Sequence, residues 1–447
     1  MGLGRSGVAV TQFLVRQGAR VTVTDRAPAD SLSAQVEALK GLDVRFKMGG
    51  HDEKDAVDAD LIVLSPGVPH TLPMLERARQ KGVSVVGEMA LAAGRIQEPI
   101  VAVTGTNGKT TTTELVGEML KRSGTRVFIG GNIGTPLISY VEGLYGQADV
   151  VVVEVSSFQL DSAIDFQPDT AVVLNLTDDH LDRYENFSAY ARSKWRIFEH
   201  QSKAHKAVVN GKDAAIAEMM KTHPPRSACW FFSDKAVPDG ARIYTDAIGV
   251  FEKGQQVATF SLDRAGITGP HNRENIAAAC LAARTQGASD DGIQQAIDAY
   301  KGLSHRLERV GKINGVHFWN DSKATNVDAV RRALECFAKP VVLIMGGQNK
   351  KGDFTQLRTS VHHRVKKLVV VGEATEEICE ALADEPKGGC VKADSLEDAV
   401  EKAIKGAEPG ETVLFSPACA SFDMFDNYVQ RGNRFREIVK GLQCGQA

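Results

Sequence analysis

The residues best suited to chemistry lie in Val101-Ala102-Val103-Thr104-Gly105-Thr106-Asn107-Gly108-Lys109-Thr110. A strand feeds a tight loop, and a helix begins where the loop ends. Glycines let backbone N–H groups approach phosphate oxygens, and the helix N-terminus adds positive potential. Lys109 supplies a mobile full charge, and Thr110 places a hydroxyl where phosphate-loop proteins hold Mg²⁺. Gly105, Thr106, Asn107 and Gly108 form the cradle. The usual spacing asks for glycine at 103, where this chain has Val103, so the shorter Gly-x-x-Gly-Lys-Thr form is present. An ordinary turn carrying a surface lysine is the alternative. The four hydrophobic residues before the loop and the helix after it favour a nucleotide.

A second constellation is Glu154, Asp179, His180 and Lys194. Glu154 lies at the end of an expected strand, Val150–Val155, and Asp179-His180 follow a strand ending at Asn175. Adjacent parallel strands would bring both to one sheet edge beside the phosphate loop. Carboxylate oxygen and imidazole nitrogen suit Mg²⁺ or Mn²⁺ next to a triphosphate. Taken singly, Glu154 and His180 are ordinary solvated loop ends and Lys194 a helix-face lysine. A third pattern, Gly2-x-Gly4-x-x-Gly7 with Asp25 beyond it, matches a dinucleotide fingerprint. That fingerprint follows a strand, and here the chain starts at the glycines. The expectation is a Rossmann-like sheet lacking its first strand, with apolar helix faces left exposed at considerable cost.

The elements that must position these residues fall into three α/β blocks, as 447 residues at about 150 per domain suggest. Residues 1–93 give a Rossmann-like block, with a helix over Gly7–Gly18 and strands at Arg20–Thr24 and Leu61–Leu64. Residues 94–302 give a parallel sheet of the phosphate-loop ATPase kind. It has strands at Ile100–Thr104, Val150–Val155 and Ala171–Asn175, and a small β-rich extension over about 226–262. Residues 303–447 give a second Rossmann-like block, with strands at Val316–Trp319, Val341–Met345, Leu368–Val371 and Thr412–Phe415. Strands alternating with helices imply parallel sheets with right-handed crossovers. Three polar clusters each follow a strand of the last block: Asn320–Lys323, Gly346–Lys350 and Ser416–Ala418. In open α/β sheets, ligands bind beyond the carboxyl ends of strands.

Composition narrows the partners. With 53 Lys+Arg against 56 Asp+Glu, there is no broad basic field for a nucleic acid. The apolar runs are strand-sized, far short of a membrane span. Seven scattered cysteines without a Cys-x-x-Cys pair argue against a disulfide framework or zinc ribbon and for a reducing cytoplasm. The N-terminal glycines also fit loose acylation and signal patterns, which the dinucleotide reading displaces.

Together the motifs resemble the Mur ligases, ATP-dependent amide-bond synthetases of peptidoglycan precursor assembly. The resemblance is carried by Thr104–Thr110, Gly130-Gly131-Asn132-Ile133-Gly134, Glu154–Leu160 and Asn175–Asp182. His271-Asn272-x-x-Asn275, His305–Glu308 and Asn320–Asn326 extend it nearly end to end. Ser156–Leu160 and Ser416–Asp423 look most like the branch that joins D-glutamate to UDP-N-acetylmuramoyl-L-alanine. The resemblance implies ATP and two Mg²⁺ ions. Lys109 would hold the phosphates, Thr110 and Glu154 the first ion, and His180 the second, with Lys194 carbamylated as a further ligand. It also implies ATP contacts at Asn272, Asn275, Arg306, Asp321 and Lys323. For the UDP-sugar it implies Arg5, Ser6, Asp25, Arg26, Gly67 and Asn132. For D-glutamate it implies Thr325, Lys350 (or its neighbour Lys351), Ser421 and Tyr428. Capping is the bland role for the two asparagines, and a core aromatic is the bland role for Tyr428.

A soluble cytoplasmic monomer is expected. Ligases adding other amino acids, folylpolyglutamate-type ligases included, are the alternative; those adding diaminopimelate or lysine commonly carry an Asp-Asn-Pro-Arg tetrad, which is not present here. A nicotinamide-dependent dehydrogenase would use Gly2–Gly7 and Asp25 but leave the phosphate loop unexplained.

Overall fold

The computed structural model describes residues 1–179 and 183–444. It divides into two compact units. The first comprises Met1–Leu176, Ala191–Arg264 and Glu274–Ala299, and the second Thr177–Tyr190, Ala265–Arg273 and Tyr300–Ala447.

The first unit opens with strands β1 (Val21–Asp25), β2 (Val44–Met48), β3 (Leu61–Leu64) and β4 (Ser84–Gly87). These form two separate parallel pairs, β1 with β2 and β3 with β4, in place of one continuous sheet. Met1 and Gly2 run between the pairs. The Met1 ammonium donates to Val63 O at 2.8 Å, Gly2 N to Thr24 O at 2.8 Å and Ser65 N to Met1 O at 2.9 Å. Met1 and Gly2 thus occupy the place between the pairs, and the exposed helix face expected there is not seen. The helix Arg5–Arg16 buries Ala9, Val10 and Phe13, packing on the short helices Glu88–Ala93 and Leu137–Val141.

Glu88 sits at this junction, 1% exposed, and its Oε1 accepts from Ile138 N at 2.8 Å. Its Oε2 has no hydrogen-bond partner among the described residues. Burial pushes the carboxyl up to about 7. A raised folded-state value means the native protein keeps a proton that the unfolded chain releases. The associated stability is therefore full below the ordinary carboxyl value of 4.5 and is lost as pH rises through about 7. Glu88→Gln keeps the acceptor oxygen and cannot ionise. Its melting temperature should gain on the unsubstituted protein between pH 5 and pH 8. A pH-independent difference between the two would contradict this account.

The same unit holds a nine-stranded sheet. Its strands are β5 (Ile100–Thr104), β6 (Val127–Gly131), β7 (Val150–Glu154), β8 (Thr170–Val173), β9 (Lys206–Asn210), β10 (Ala228–Ser233), β11 (Gly240–Ile243), β12 (Ala247–Glu252) and β13 (Gln255–Ser261). The spatial order is β13-β12-β11-β10-β9-β8-β5-β7-β6. Only β11-β12 and β12-β13 are antiparallel, and they make up the far end of the expected β-rich extension. Every residue of β5, β7 and β8 is buried. Strands covered on both faces read as unbroken apolar runs rather than alternating ones, which is why these three stand out in the sequence.

The second unit carries a six-stranded sheet of β14 (Glu308–Ile313), β15 (Val316–Asn320), β16 (Val341–Met345), β17 (Val365–Val371), β18 (Cys390–Ala393) and β19 (Thr412–Phe415). Its order is β14-β15-β19-β16-β17-β18, parallel except for the β14-β15 hairpin. Two apolar clusters cover its faces, one around Leu343, Leu368 and Leu414, the other around Ile344, Val369 and Phe415. The alternation Leu343/Ile344 and Leu414/Phe415 is the period-two pleat distributing side chains to opposite layers. Since β15, β19 and β16 are neighbours, the three polar clusters that follow them emerge side by side from one sheet edge.

Candidate active site

In the first unit, β5 ends at Thr104, and Gly105 turns the chain with φ 148°. Position 103 is still inside the strand, so the loop is shorter than the usual phosphate loop and needs no glycine there. Gly108 is left-handed at φ 90° and caps the helix Lys109–Arg122. A Cβ on Gly108 would lie 2.2 Å from Asn275 Oδ1, so this glycine lets the loop reach Asn275. Asn175 holds the loop from below. Its carbonyl and Oδ1 accept from Thr106 N and Asn107 N at 2.9 and 2.8 Å, and its Nδ2 donates to Asn107 O at 2.9 Å. Lys109 arches over the same loop, donating to Gly105 O and Thr106 O, both at 2.8 Å. For Gly108→Ala, backbone strain of about 1–2 kcal/mol adds to the displacement of Asn275. The expected result is a KM for ATP raised about tenfold or more at a nearly unchanged fold, checked by steady-state kinetics and circular dichroism.

Glu154, at the end of β7, is 2% exposed. Thr110 Oγ1 donates to its Oε2 and Asn132 Nδ2 to its Oε1, each at 2.7 Å. A carboxylate and a hydroxyl oxygen side by side at a helix N-terminus are the hard donors that Mg²⁺ takes beside phosphates. Among the described residues no group of three or more His, Cys, Asp or Glu is placed to hold a metal ion. Phosphate oxygens and water would complete such a coordination shell, the usual habit of Mg²⁺. The donor set therefore fits a magnesium–nucleotide. Lys194, on the helix Phe187–Trp195, is 2% exposed, against the solvated fate of most helix-face lysines. His180 lies outside the described residues. Arg5, Ser6, Asp25, Arg26 and Gly67 line one cavity of about 380 Å³, joined by His51, which the sequence did not single out. Asp25 does more than face that cavity: its carboxylate accepts from Leu3 N at 2.6 Å and Ala27 N at 2.9 Å.

In the second unit, Asn272 Nδ2 donates to Thr268 O at 2.8 Å, a local tie beside the start of the helix Pro270–Thr285. Asp321 accepts from Leu307 N at 3.2 Å and Ser416 Oγ at 2.8 Å. Burial pushes its carboxyl up to about 6, opposed by the nearby Arg306 charge. Arg306 Nε is buried without a hydrogen-bond partner among the described residues, a donor suited to an anion. Lys323 Nζ stands 5.4 Å from the centre of the Tyr428 ring, so Tyr428 backs a cation as well as packing.

A cavity of about 270 Å³ is lined by Thr325, Asn326, Arg331, Lys350 and Lys351 together with Asp178, Asp179 and Asp328. Lys350 pairs with Asp179 at 2.9 Å, and Asn326 Nδ2 donates to the other oxygen of Asp179 at 3.0 Å. Lys350 points at this cavity's acid, while Lys351 is exposed and in the left-handed region at φ 62°. Ser421, 2% exposed, and Tyr428 are not in that lining. Cations and carboxylates sharing one pocket suit an amino acid, whose ammonium and carboxylates need opposite partners.

Sequence reasoning passed over Arg431. It is 1% exposed on the helix Tyr428–Cys444. Its guanidinium donates to Ser322 Oγ and Ser322 O at 3.0 and 2.8 Å, and to Cys419 O and Ala420 O at 3.0 and 3.1 Å. One side chain thereby ties the loop after β15 to the loop after β19.

Comparison with known proteins bears on these arrangements. The Mur ligase MurD-like N-terminal domain matches residues 1–87, the Mur ligase middle domain residues 103–283 and the Mur ligase glutamate ligase domain residues 305–419. The UDP-N-acetylmuramoylalanine–D-glutamate ligase of Desulfosudis oleivorans is 47% identical, covering 100% of this chain and 96% of its own. That of Desulfatibacillum aliphaticivorans is also 47% identical, over 99% and 97%. Among solved structures, a pseudomurein peptide ligase type C from Methanothermus fervidus matches with TM-score 0.64 at 18% identity, over 98% of both chains. The MurF ligase of Thermotoga maritima in complex with ADP matches with TM-score 0.63 at 19% identity, over 89% of this chain and 97% of its own. With all three domain families matched in order and near-half identity from end to end, the chain belongs to the Mur ligase family.

Proposed function

We propose that this enzyme is an ATP-dependent, ADP-forming ligase that joins D-glutamate to UDP-N-acetylmuramoyl-L-alanine in peptidoglycan precursor synthesis. The γ-phosphoryl group passes to the terminal alanine carboxylate and ADP leaves. The D-glutamate amine then attacks the acyl carbon, inorganic phosphate departs and the amine loses a proton. The observation that carries the first step is the buried Glu154 oxygen bonded to the Thr110 hydroxyl at the mouth of the glycine loop. Two anions must meet there, so charge neutralisation and positioning are the main demands. Lys109 supplies the mobile charge, Gly105–Gly108 the backbone donors, and Asn275 the wall beside Gly108. Mg²⁺, held by Thr110 and Glu154 when bound, neutralises and orients phosphate oxygens. Asn272, Arg306, Asp321 and Lys323 are the further ATP contacts.

The D-glutamate choice is supported by the names of the relatives and by the mixed-charge cavity in which Lys350 and Thr325 sit; Ser421 and Tyr428 are the further contacts of this reading. Arg5, Ser6, Asp25, Arg26, Gly67 and Asn132 take the UDP-sugar. Segments 1–93, 94–302 and 303–447 are the sugar-nucleotide, ATP and amino-acid domains of a cytoplasmic monomer. Among the described residues no helix is long and apolar enough to cross a membrane. Phosphate release from ATP with UDP-N-acetylmuramoyl-L-alanine tests the assignment. D-glutamate should stimulate it and L-glutamate should not. Equal stimulation by meso-diaminopimelate would overturn the amino-acid assignment, and NADH binding without ATP turnover would favour a dehydrogenase.

Lys194 is proposed to carry a carbamate, formed from its neutral amine and CO₂ with loss of a proton. Its burial supports this, since desolvation favours the neutral amine. Lys194→Ala should lose activity about 10²-fold or more, as expected for losing one stabilising group, and short carboxylic acids should restore part of it. Full activity in the variant would remove the carbamate.

A further inference from the structure

Cys379 and Cys390 form a pair that the ligase chemistry does not use. Cys379 lies in the last turn of the helix Thr375–Leu382, and Cys390 opens the edge strand β18. Their sulfurs are 3.5 Å apart and both residues are half-buried. We propose that Cys379 and Cys390 are a modification site, at which a hydroperoxide converts the two thiols to a disulfide. A disulfide is about 2.0 Å long, so closing it takes a sulfur shift of about 1.5 Å, within the reach of a small χ1 rotation. The connecting segment 383–389 is a turn containing Gly388 and Gly389, and no regular element has to break.

Burial, with the neighbouring Cys379, pushes the Cys390 thiol up. One thiol of the pair attacks the peroxide oxygen, giving a sulfenic acid and one water from hydrogen peroxide. The other sulfur attacks that sulfenic sulfur, the S–S bond forms, and a second water leaves with its proton. Two electrons leave the thiol pair and two reduce the peroxide. The other half-buried cysteines lack this geometry: Cys336 lies beside His271 at 3.6 Å, and Cys229 donates to Ser227 O at 3.5 Å. The cross-link would fasten the end of the helix whose neighbouring Glu377 accepts from Asn349 Nδ2 at 2.6 Å, one residue from Lys350.

The test uses the full chain treated with hydrogen peroxide, then alkylated, digested with trypsin and weighed. The two cysteines fall on different tryptic peptides, Leu368–Lys387 and Gly388–Lys392. The expected product is those two peptides joined, lighter than their sum by two hydrogens, with the free-thiol count lowered by two and restored by dithiothreitol. In Cys390→Ser and in Cys379→Ser no cross-link between the two peptides should form. A peroxide-treated protein keeping both peptides separately alkylated would overturn the proposal, as would either cysteine joined to a different partner.

Discussion

Replacing Lys109 by alanine is expected to lower ATP turnover about 10³-fold, the scale of losing one preorganised charge at a developing anion. The melting temperature should fall by less than about 10 °C. The asymmetry follows from where the ammonium spends its bonds. It donates to Gly105 O and Thr106 O, two loop carbonyls of buried residues. Their loss of a donor costs the fold about 1–3 kcal/mol, less than the loss in turnover. A triphosphate offers the same ammonium a full negative charge in a site whose walls, β5 and Glu154, exclude water. There the Coulomb attraction is strong, and it grows as charge moves onto the transferring phosphoryl group. Lys109→Arg should fail to restore the rate, because the planar guanidinium cannot follow the same arch over Gly105 and Thr106. Single-turnover measurements would separate phosphoryl transfer from product release. Turnover in Lys109→Ala within tenfold of the unsubstituted protein would remove this lysine from the chemistry.

What could be read from sequence depended on how local the determining forces were. Strands β5, β7 and β16 are apolar on both faces and bounded by turn residues, so their composition announces them. The glycine loop was legible for a similar reason: its backbone demands glycine at 105 and 108 whatever else surrounds it. Strands β2 and β18 were not legible, because they are short edges with mostly half-exposed residues. At the N-terminus, the helix Arg5–Arg16 was expected to lose its cover. Its cover comes instead from Leu137–Val141, more than 100 residues away, which no local pattern encodes. Side-chain roles show the same division. Asn175 grips the phosphate loop across 68 residues. Lys194 reads as a surface lysine because nothing in its own helix reveals that it is buried. The cavity residues Arg5, Ser6, Arg26 and Gly67 were found through likeness to a family, Asp25 by its spacing from the glycines as well, and the structure places them around one space.

Arg431→Met is expected to be the most destabilising single change of those considered, by about 3–5 kcal/mol, the range for removing one partner from a buried charged network. Methionine nearly matches the length of the arginine stem, so packing against the Phe415 ring, 5.9 Å from the guanidinium, is largely kept. The loss is in hydrogen bonding. Ser322 O, Cys419 O and Ala420 O would each lose a donor in a place water does not reach, since all three residues are buried. Burial lowers the guanidinium to about 10, so it remains a cation at neutral pH. The carbonyl dipoles, with the Asp423 carboxylate nearby, compensate that charge, which makes their alignment part of what keeps it folded in. The same bonds fix the loops that carry Asp321, Lys323 and Ser421, so the damage should not stop at stability. Well below its melting temperature, Arg431→Met should show raised KM values for both ATP and D-glutamate. A purely global defect would instead lower kcat through a smaller active fraction and leave KM alone. Arg431→Lys should fall between, because one ammonium cannot reach acceptors on both loops at once. Chemical denaturation followed at fixed pH measures the first effect and steady-state kinetics the second. A variant that unfolds within about 1 kcal/mol of the unsubstituted protein would mean that the two loops hold their positions without this cross-tie.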